Sequence, residues 1–247
     1  MRSWLRCLIP ASAVLLLGAG VPTEDQLRLS VLVVVYPETF AAAATRDEVE
    51  NVWREVAEST EFVERASRGR LALDVEKVVV ERVVPRDDFQ EDPPGQYWLN
   101  DYAGSRHLVE DDLVALGQPP NRFDVVAVFY AWENRLSHTT PFGAASIGVN
   151  RILGKAAYLA VPMVWTPSTL SSYFEHELLH CLESMFEDAG AGFPHLHNGW
   201  AFEATYGVDQ AAWNAWVLSN APWDAYLTKP GSWGTLAGSS TSVEPIR

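Results

Sequence analysis

The pentapeptide His176-Glu177-Leu178-Leu179-His180 puts two imidazoles and a carboxylate at a spacing that a helix turns into a metal site. Residues four apart on an α-helix lie one turn above each other on the same face. Both imidazoles can then reach one Zn²⁺ through a ring nitrogen at about 2.0–2.1 Å. Glu177 lies about 100° further round the helix, too far to join the pair comfortably as a ligand but able to reach a water on the metal. The chemistry implied is metal-assisted hydrolysis, with His176 and His180 as ligands and Glu177 as general base.

That chemistry requires a helix, and the flanking residues supply one. Thr166 is a candidate N-cap and Pro167 suits the first helical position, while Gly190 and Gly192 offer a stop. Phe174, Leu178, Cys181, Leu182 and Met185 recur at helical spacing and predict a core-facing stripe. His176 and His180 fall on its flank, where they can face a cleft. Glu183 lies three residues after His180 on nearly the same face. It is either a carboxylate that receives a ligand histidine's second N–H or a solvent-facing helix glutamate. Cys181, adjacent to His180 but about 100° away around the helix, reads as a buried thiol rather than a ligand.

The rest of the chain bounds where such a protein works. Residues 1–20 read as a secretory signal: Arg2 and Arg6, an apolar run over 8–17, then Gly18-Ala19-Gly20. The run is too short to span a bilayer, and no later stretch is long and apolar enough, so an exported chain without stable membrane insertion is expected. Cys7 lies in that segment, which leaves Cys181 alone and no intramolecular disulfide. The formal charge is −14; without Arg2 and Arg6 there remain 16 basic residues against 32 acidic ones. Such a surface repels nucleic acid and anionic membranes.

Hydrophobic patterning predicts buried strands over 27–36 and 123–132, and an amphipathic helix over 46–68. A strand or hairpin is expected over 70–84, a loop over 85–101 and a short helix over 107–116 ended by Gly117. Residues 139–154 read as a glycine-containing loop with room for a short strand. The segment 155–164 reads as a strand in which Pro162 marks either an edge or the point where pairing stops. Its part over 155–161 is the candidate edge strand for an extended peptide. A short helical piece near 200–206, a helix over 209–220 opened by Asp209, and an irregular tail from 229 complete the reading. Trp213 and Trp216, three apart, are expected in the core. The fold class is α+β: a mixed sheet with flanking helices, an active-site helix and a smaller helical C-terminal lobe. The division is 1–20 signal, then one domain over 21–247, comprising a sheet-containing lobe (21–165), the active-site helix with the helical lobe (166–228) and the tail (229–247).

With these residues in view the chain resembles the zincin superfamily of zinc metallopeptidases, on the pentapeptide and, more loosely, on the element order before it. The resemblance implies one catalytic Zn²⁺ bound by His176 and His180, Glu177 as the base, and a site between two lobes. The metzincin pattern wants glycine and histidine where this chain has Glu183 and Phe186, so that branch is excluded. Trp200-Ala201-Phe202-Glu203 is similar to the W-x-x-E of gluzincins, and Glu203 also precedes Tyr206-Gly207 by three, as an aspartate does in aspzincins. A catalytic zinc needs three protein ligands and an open fourth position. The third ligand is accordingly His197 or Glu203, with His195 behind them. Tyr206 is the first candidate donor to an oxyanion, ahead of Tyr173 and His138. The expected activity is hydrolysis of a peptide bond in a peptide, protein or glycoprotein substrate. The competing expectation is a non-catalytic zinc-containing protein that binds peptides or glycoproteins on the same scaffold.

Overall fold

The computed structural model describes residues 26–91, 96–99, 102–103, 106–117, 123–132, 140–141, 144–148, 156–163, 167–194, 196 and 209–228. Residues 1–20 (expected to be a signal), the candidate N-cap Thr166, the expected helical piece near 200–206 and the segment from 229 lie outside them.

Five strands form the central sheet: β1 (Leu27–Tyr36), β2 (Leu71–Val79), β3 (Val125–Tyr130), β4 (Ala144–Gly148) and β5 (Ala156–Pro162). Their order is β4-β5-β3-β1-β2. Four of them are parallel; β4 alone runs antiparallel, against β5. β1 and β3 are central and almost wholly buried, which is why their sequences are continuous Val/Leu/Phe runs rather than alternating ones. Alternate residues still divide between two cores. Leu27, Leu29, Val31, Val33 and Val35 face one layer, and Leu32, Val34 and Tyr36 the other.

The first layer holds α1 (Arg46–Ala66), α3 (Pro167–Asp188), α4 (Gln210–Asn220) and α5 (Trp223–Leu227). α1 is opened by a capping box: the Thr45 hydroxyl accepts from the Glu48 N–H, and the Glu48 carboxylate accepts from the Thr45 N–H. On α4 the Asp209 carboxylate accepts from the Ala212 N–H, as expected of an N-cap. The helices after the motif share the core of the sheet: Trp213, Val217, Leu218, Trp223 and Tyr226 pack in the same cluster as β1 and α1. The second layer holds α2 (Leu108–Ala115) with a patch of aromatic residues. There Phe40, Phe89, Tyr130 and Trp132 meet edge to face or tilted at 5.2–6.2 Å.

Three expectations are corrected. Residues 85–101 are not all loop, because Phe89–Glu91 and Gln96–Leu99 pair as antiparallel strands and the second also pairs with Thr140–Pro141. The proline and acidic residues that suggested a loop lie at the ends of these short strands. The segment 155–161 is not an edge strand, since β5 is paired on both sides, and among the described residues β4 is the outermost strand on that side of the sheet. Pro162 is compatible with this because pairing with β4 reaches only Ala160, so its missing N–H marks where that ladder stops. Trp216 is not a core residue. It is 49% exposed and stacks at 5.0 Å on the buried Trp213.

β1 and β3 are tied together by a buried carboxylate. Asp124 Oδ2 accepts from both the Ser30 N–H and the Ser30 hydroxyl at 2.8 Å. Burial nevertheless pushes the Asp124 carboxyl above its ordinary value, because desolvation outweighs the two hydrogen bonds. As pH rises, the unfolded chain therefore releases this proton first. Stability is undiminished below the unfolded pKa and falls until the folded pKa is passed. Asp124→Asn keeps an acceptor for Ser30 and removes the charge. Relative to the parent it is expected to be more stable at about pH 7 than at about pH 3, read from denaturant midpoints. An unchanged difference between the two pH values would contradict this.

Candidate functional site

The motif lies in the middle of α3, and the helix is held there by its neighbours. Leu170, Phe174, Leu178, Leu179, Cys181, Leu182, Met185 and Phe186 are all buried against the sheet, α1 and α4. The stripe predicted from periodicity is thus the observed one. Pro167 is the first helical residue. At the other end Gly190 takes a φ of 62° and the Ala191 N–H donates to the Phe186 carbonyl at 2.8 Å, the hydrogen bond that closes a glycine-ended helix.

His176 and His180 face one another. Their Nε2 atoms are 3.2 Å apart, with ring planes at 85° and centroids 4.7 Å apart. Two nitrogens that share a tetrahedral zinc at about 2.0–2.1 Å lie roughly 3.3–3.4 Å from each other, so the donor pair fits that ion with little movement. His176 is buried, at 4% exposure, whereas the His180 side chain is 20% exposed; the pair therefore opens to solvent on the His180 side. Glu183 Oε2 lies 3.3 Å from His180 Nδ1. The carboxylate can take the second N–H of that imidazole, the outer contact that commonly orients a metal-ligating histidine.

Glu177 is buried beside the pair, and desolvation pushes its carboxyl up to about 8. It is therefore protonated near neutrality unless positive charge stands close by; a cation held by the two imidazoles would return it to the base form. The Cys181 thiol is fully buried, pushed well above its ordinary range mainly by burial and secondarily by Glu177, and is inert.

Glu175 points the other way, into the interface with α1 and α4. Ser59 of α1 donates to its Oε1 at 3.0 Å, and Asn214 Nδ2 of α4 lies 3.3 Å from its Oε2. Burial raises this carboxyl to about 7 in spite of both bonds. Asn214 Nδ2 also donates to the Ser172 carbonyl at 3.0 Å, and its Oδ1 accepts from Gln210 Nε2 at 3.1 Å. Gln210 Nε2 is in turn 3.0 Å from His176 Nδ1. Sequence reading missed Ser59, Glu175, Asn214 and Gln210. The available signals were a glutamate beside the apolar stripe and a pair of amides four apart at the start of an apolar helix.

Of the other sequence candidates, His195, His197, Glu203, Tyr206 and His138 lie outside the described residues. Tyr173 is on α3 and partly buried. Among the described residues no group of three or more His, Cys, Asp or Glu side chains could hold a metal ion, so the two histidines stand there as a pair. No protein-family model matches the chain, and no curated protein matches it.

Asn214 is the residue on which this interface turns, since it is fully buried and bonds three elements of the network. Asn214→Leu fills similar space but removes one hydrogen-bond partner each from Glu175, Gln210 and the Ser172 carbonyl. It is expected to cost about 1–3 kcal/mol in denaturant unfolding, where a surface substitution stays within about 0.5 kcal/mol.

Proposed function

We propose that the protein is a secreted zinc-dependent hydrolase of the zincin type, a metallopeptidase that cleaves peptide bonds with Glu177 as general base. The observation that carries this reading is the convergence of His176 and His180 Nε2 at 3.2 Å on a helix that also buries Glu177 beside them. The mostly parallel sheet with one antiparallel edge strand next to that helix supports the same reading. So does the Glu183 carboxylate behind His180. His176 and His180 would hold the ion, with His197, Glu203 or His195 as the third ligand. When bound, zinc supplies Lewis acidity, polarising the scissile carbonyl and lowering the pKa of water towards about 7.

The chain's own residues do the rest. The Glu177 carboxylate takes a proton from the attacking water and passes it to the leaving amine nitrogen. Its buried position keeps bulk water from competing for that proton. Glu183 takes the His180 Nδ1–H and so orients the ring, leaving Nε2 as the nitrogen that would hold the ion. Tyr206 is the candidate donor to the developing oxyanion. β4 (Ala144–Gly148), the outermost strand of the sheet among the described residues, replaces the segment 155–161 as the candidate to pair with an extended peptide. The overall acidic chain disfavours nucleic acid as a substrate, which leaves a peptide, protein or glycoprotein as the proposed one.

Three outcomes follow. Glu177→Gln is expected to retain zinc and lose roughly 10²–10⁴-fold in turnover of a peptide library; unchanged turnover removes Glu177 as the base. A chelator is expected to abolish hydrolysis and added Zn²⁺ to restore it, while activity that survives exhaustive chelation contradicts a metal-dependent reaction. Glu183→Ala is expected to weaken zinc affinity by about 10–100-fold in a competition titration, and an unchanged affinity makes Glu183 a surface glutamate only.

A further inference from the structure

The polarity of the hydrogen bonds that reach His176 can be worked out from a fixed end. The Ser172 carbonyl only accepts, so the Asn214 atom 3.0 Å from it must be the amide nitrogen. That sets Asn214 Oδ1 toward Gln210, and an acceptor at 3.1 Å requires a donor, so the Gln210 atom there is Nε2. The same Nε2 lies 3.0 Å from His176 Nδ1 and has a second hydrogen to give. His176 Nδ1 is therefore an acceptor, and in the neutral ring the proton sits on Nε2. The remaining contacts agree with this direction. His176 Nε2–H points at His180 Nε2 3.2 Å away, which leaves His180 protonated on Nδ1 and donating to Glu183 Oε2.

This arrangement is the wrong one for binding a metal. His180 Nε2 is unprotonated, whereas His176 carries a proton on the nitrogen that a cation needs. We propose that Gln210 is a positioning residue that holds metal-free His176 in the Nε2–H tautomer, and that loading a cation requires its amide to turn over. Turning presents Gln210 Oε1 to His176 Nδ1–H and bares Nε2, at the cost of the Gln210–Asn214 hydrogen bond. The two histidines are thereby unequal: Glu183 prepares His180 for the ion, and Gln210 opposes it at His176. Through Asn214, the opposition is tied to Glu175 on α3 and Ser59 on α1. The inference rests on the zinc hydrolase reading only for the identity of the ion; the tautomer belongs to the metal-free chain.

Long-range ¹H–¹⁵N correlation spectra of the ring nitrogens, recorded on the full chain stripped of metal and at a pH where imidazole is neutral, read both tautomers directly. His180 is expected to be protonated on Nδ1 and His176 on Nε2, with the His176 proton moving to Nδ1 when Zn²⁺ is added. Gln210→Glu offers only acceptors, and a glutamate suits the first turn of α4. It is expected to place the His176 proton on Nδ1 before any metal is present, to leave His180 unchanged, and to bind Zn²⁺ about 10–100-fold more tightly. A metal-free parent protonated on His176 Nδ1 overturns the proposal. So does a Gln210→Glu spectrum in which His176 is unchanged. Failure of parent and variant alike to take up Zn²⁺ contradicts the zinc reading and with it the loading step, while the metal-free spectra still decide the Gln210 contact.

Discussion

Three consecutive polar residues, Glu175, His176 and Glu177, are almost completely buried on one helix, and most of the architecture around them answers that constraint. Successive residues on a helix point about 100° apart, so no single neighbour can satisfy all three. Glu175 is met by Ser59 of α1 and Asn214 of α4. His176 is met by Gln210 of α4 and by His180. Glu177 is buried as well, and desolvation raises its pKa to about 8. An unpaired buried polar group costs about 1–3 kcal/mol, so α3 can sit in this layer only if α1 and α4 bring those partners. The apolar stripe of α3 sets its depth, and the polar contacts set its rotation.

The same constraint links fold to chemistry. A helix turned for maximal apolar burial would hide Leu178 and Cys181 equally well at several small rotations. The bonds from Asn214 to Ser172 and Glu175 select one of them. That choice leaves His180 partly open to solvent while His176 stays enclosed, so the pair forms a one-sided site at the rim of the layer. β4 runs antiparallel to β5 and packs against α3, and it is the outermost strand of the sheet among the described residues.

Much of this was legible in the residues themselves. The continuous apolar runs that became β1 and β3, the capping signal at Asp209, and the spacing of Phe174, Leu178, Cys181, Leu182 and Met185 are all local properties. Local spacing offered Glu183 as a partner for His180 or as a solvent-facing glutamate, and the 3.3 Å contact favours the first. What was not legible depends on partners far away in the chain. Whether a strand is an edge depends on which strand returns beside it, and the return of Ala144–Gly148 is what moves residues 156–162 inside. Ser59, Asn214 and Gln210 belong to helices separated from the motif by 116, 39 and 34 positions in the contacts they make, and no periodicity encodes such meetings. Glu175 looked like one more helix glutamate because its burial is a tertiary property.

The central claim is that His176 and His180 share one catalytic ion whose coordination is finished by a third side chain from the segment after α3. An anomalous-difference map at the zinc edge, from crystals of the chain grown with Zn²⁺, tests it most directly. The account predicts a single peak about 2.0–2.1 Å from Nε2 of both histidines, one further protein ligand, and a fourth position left to solvent. A peak bound elsewhere, a sphere closed by four protein ligands, or no peak at all would contradict it.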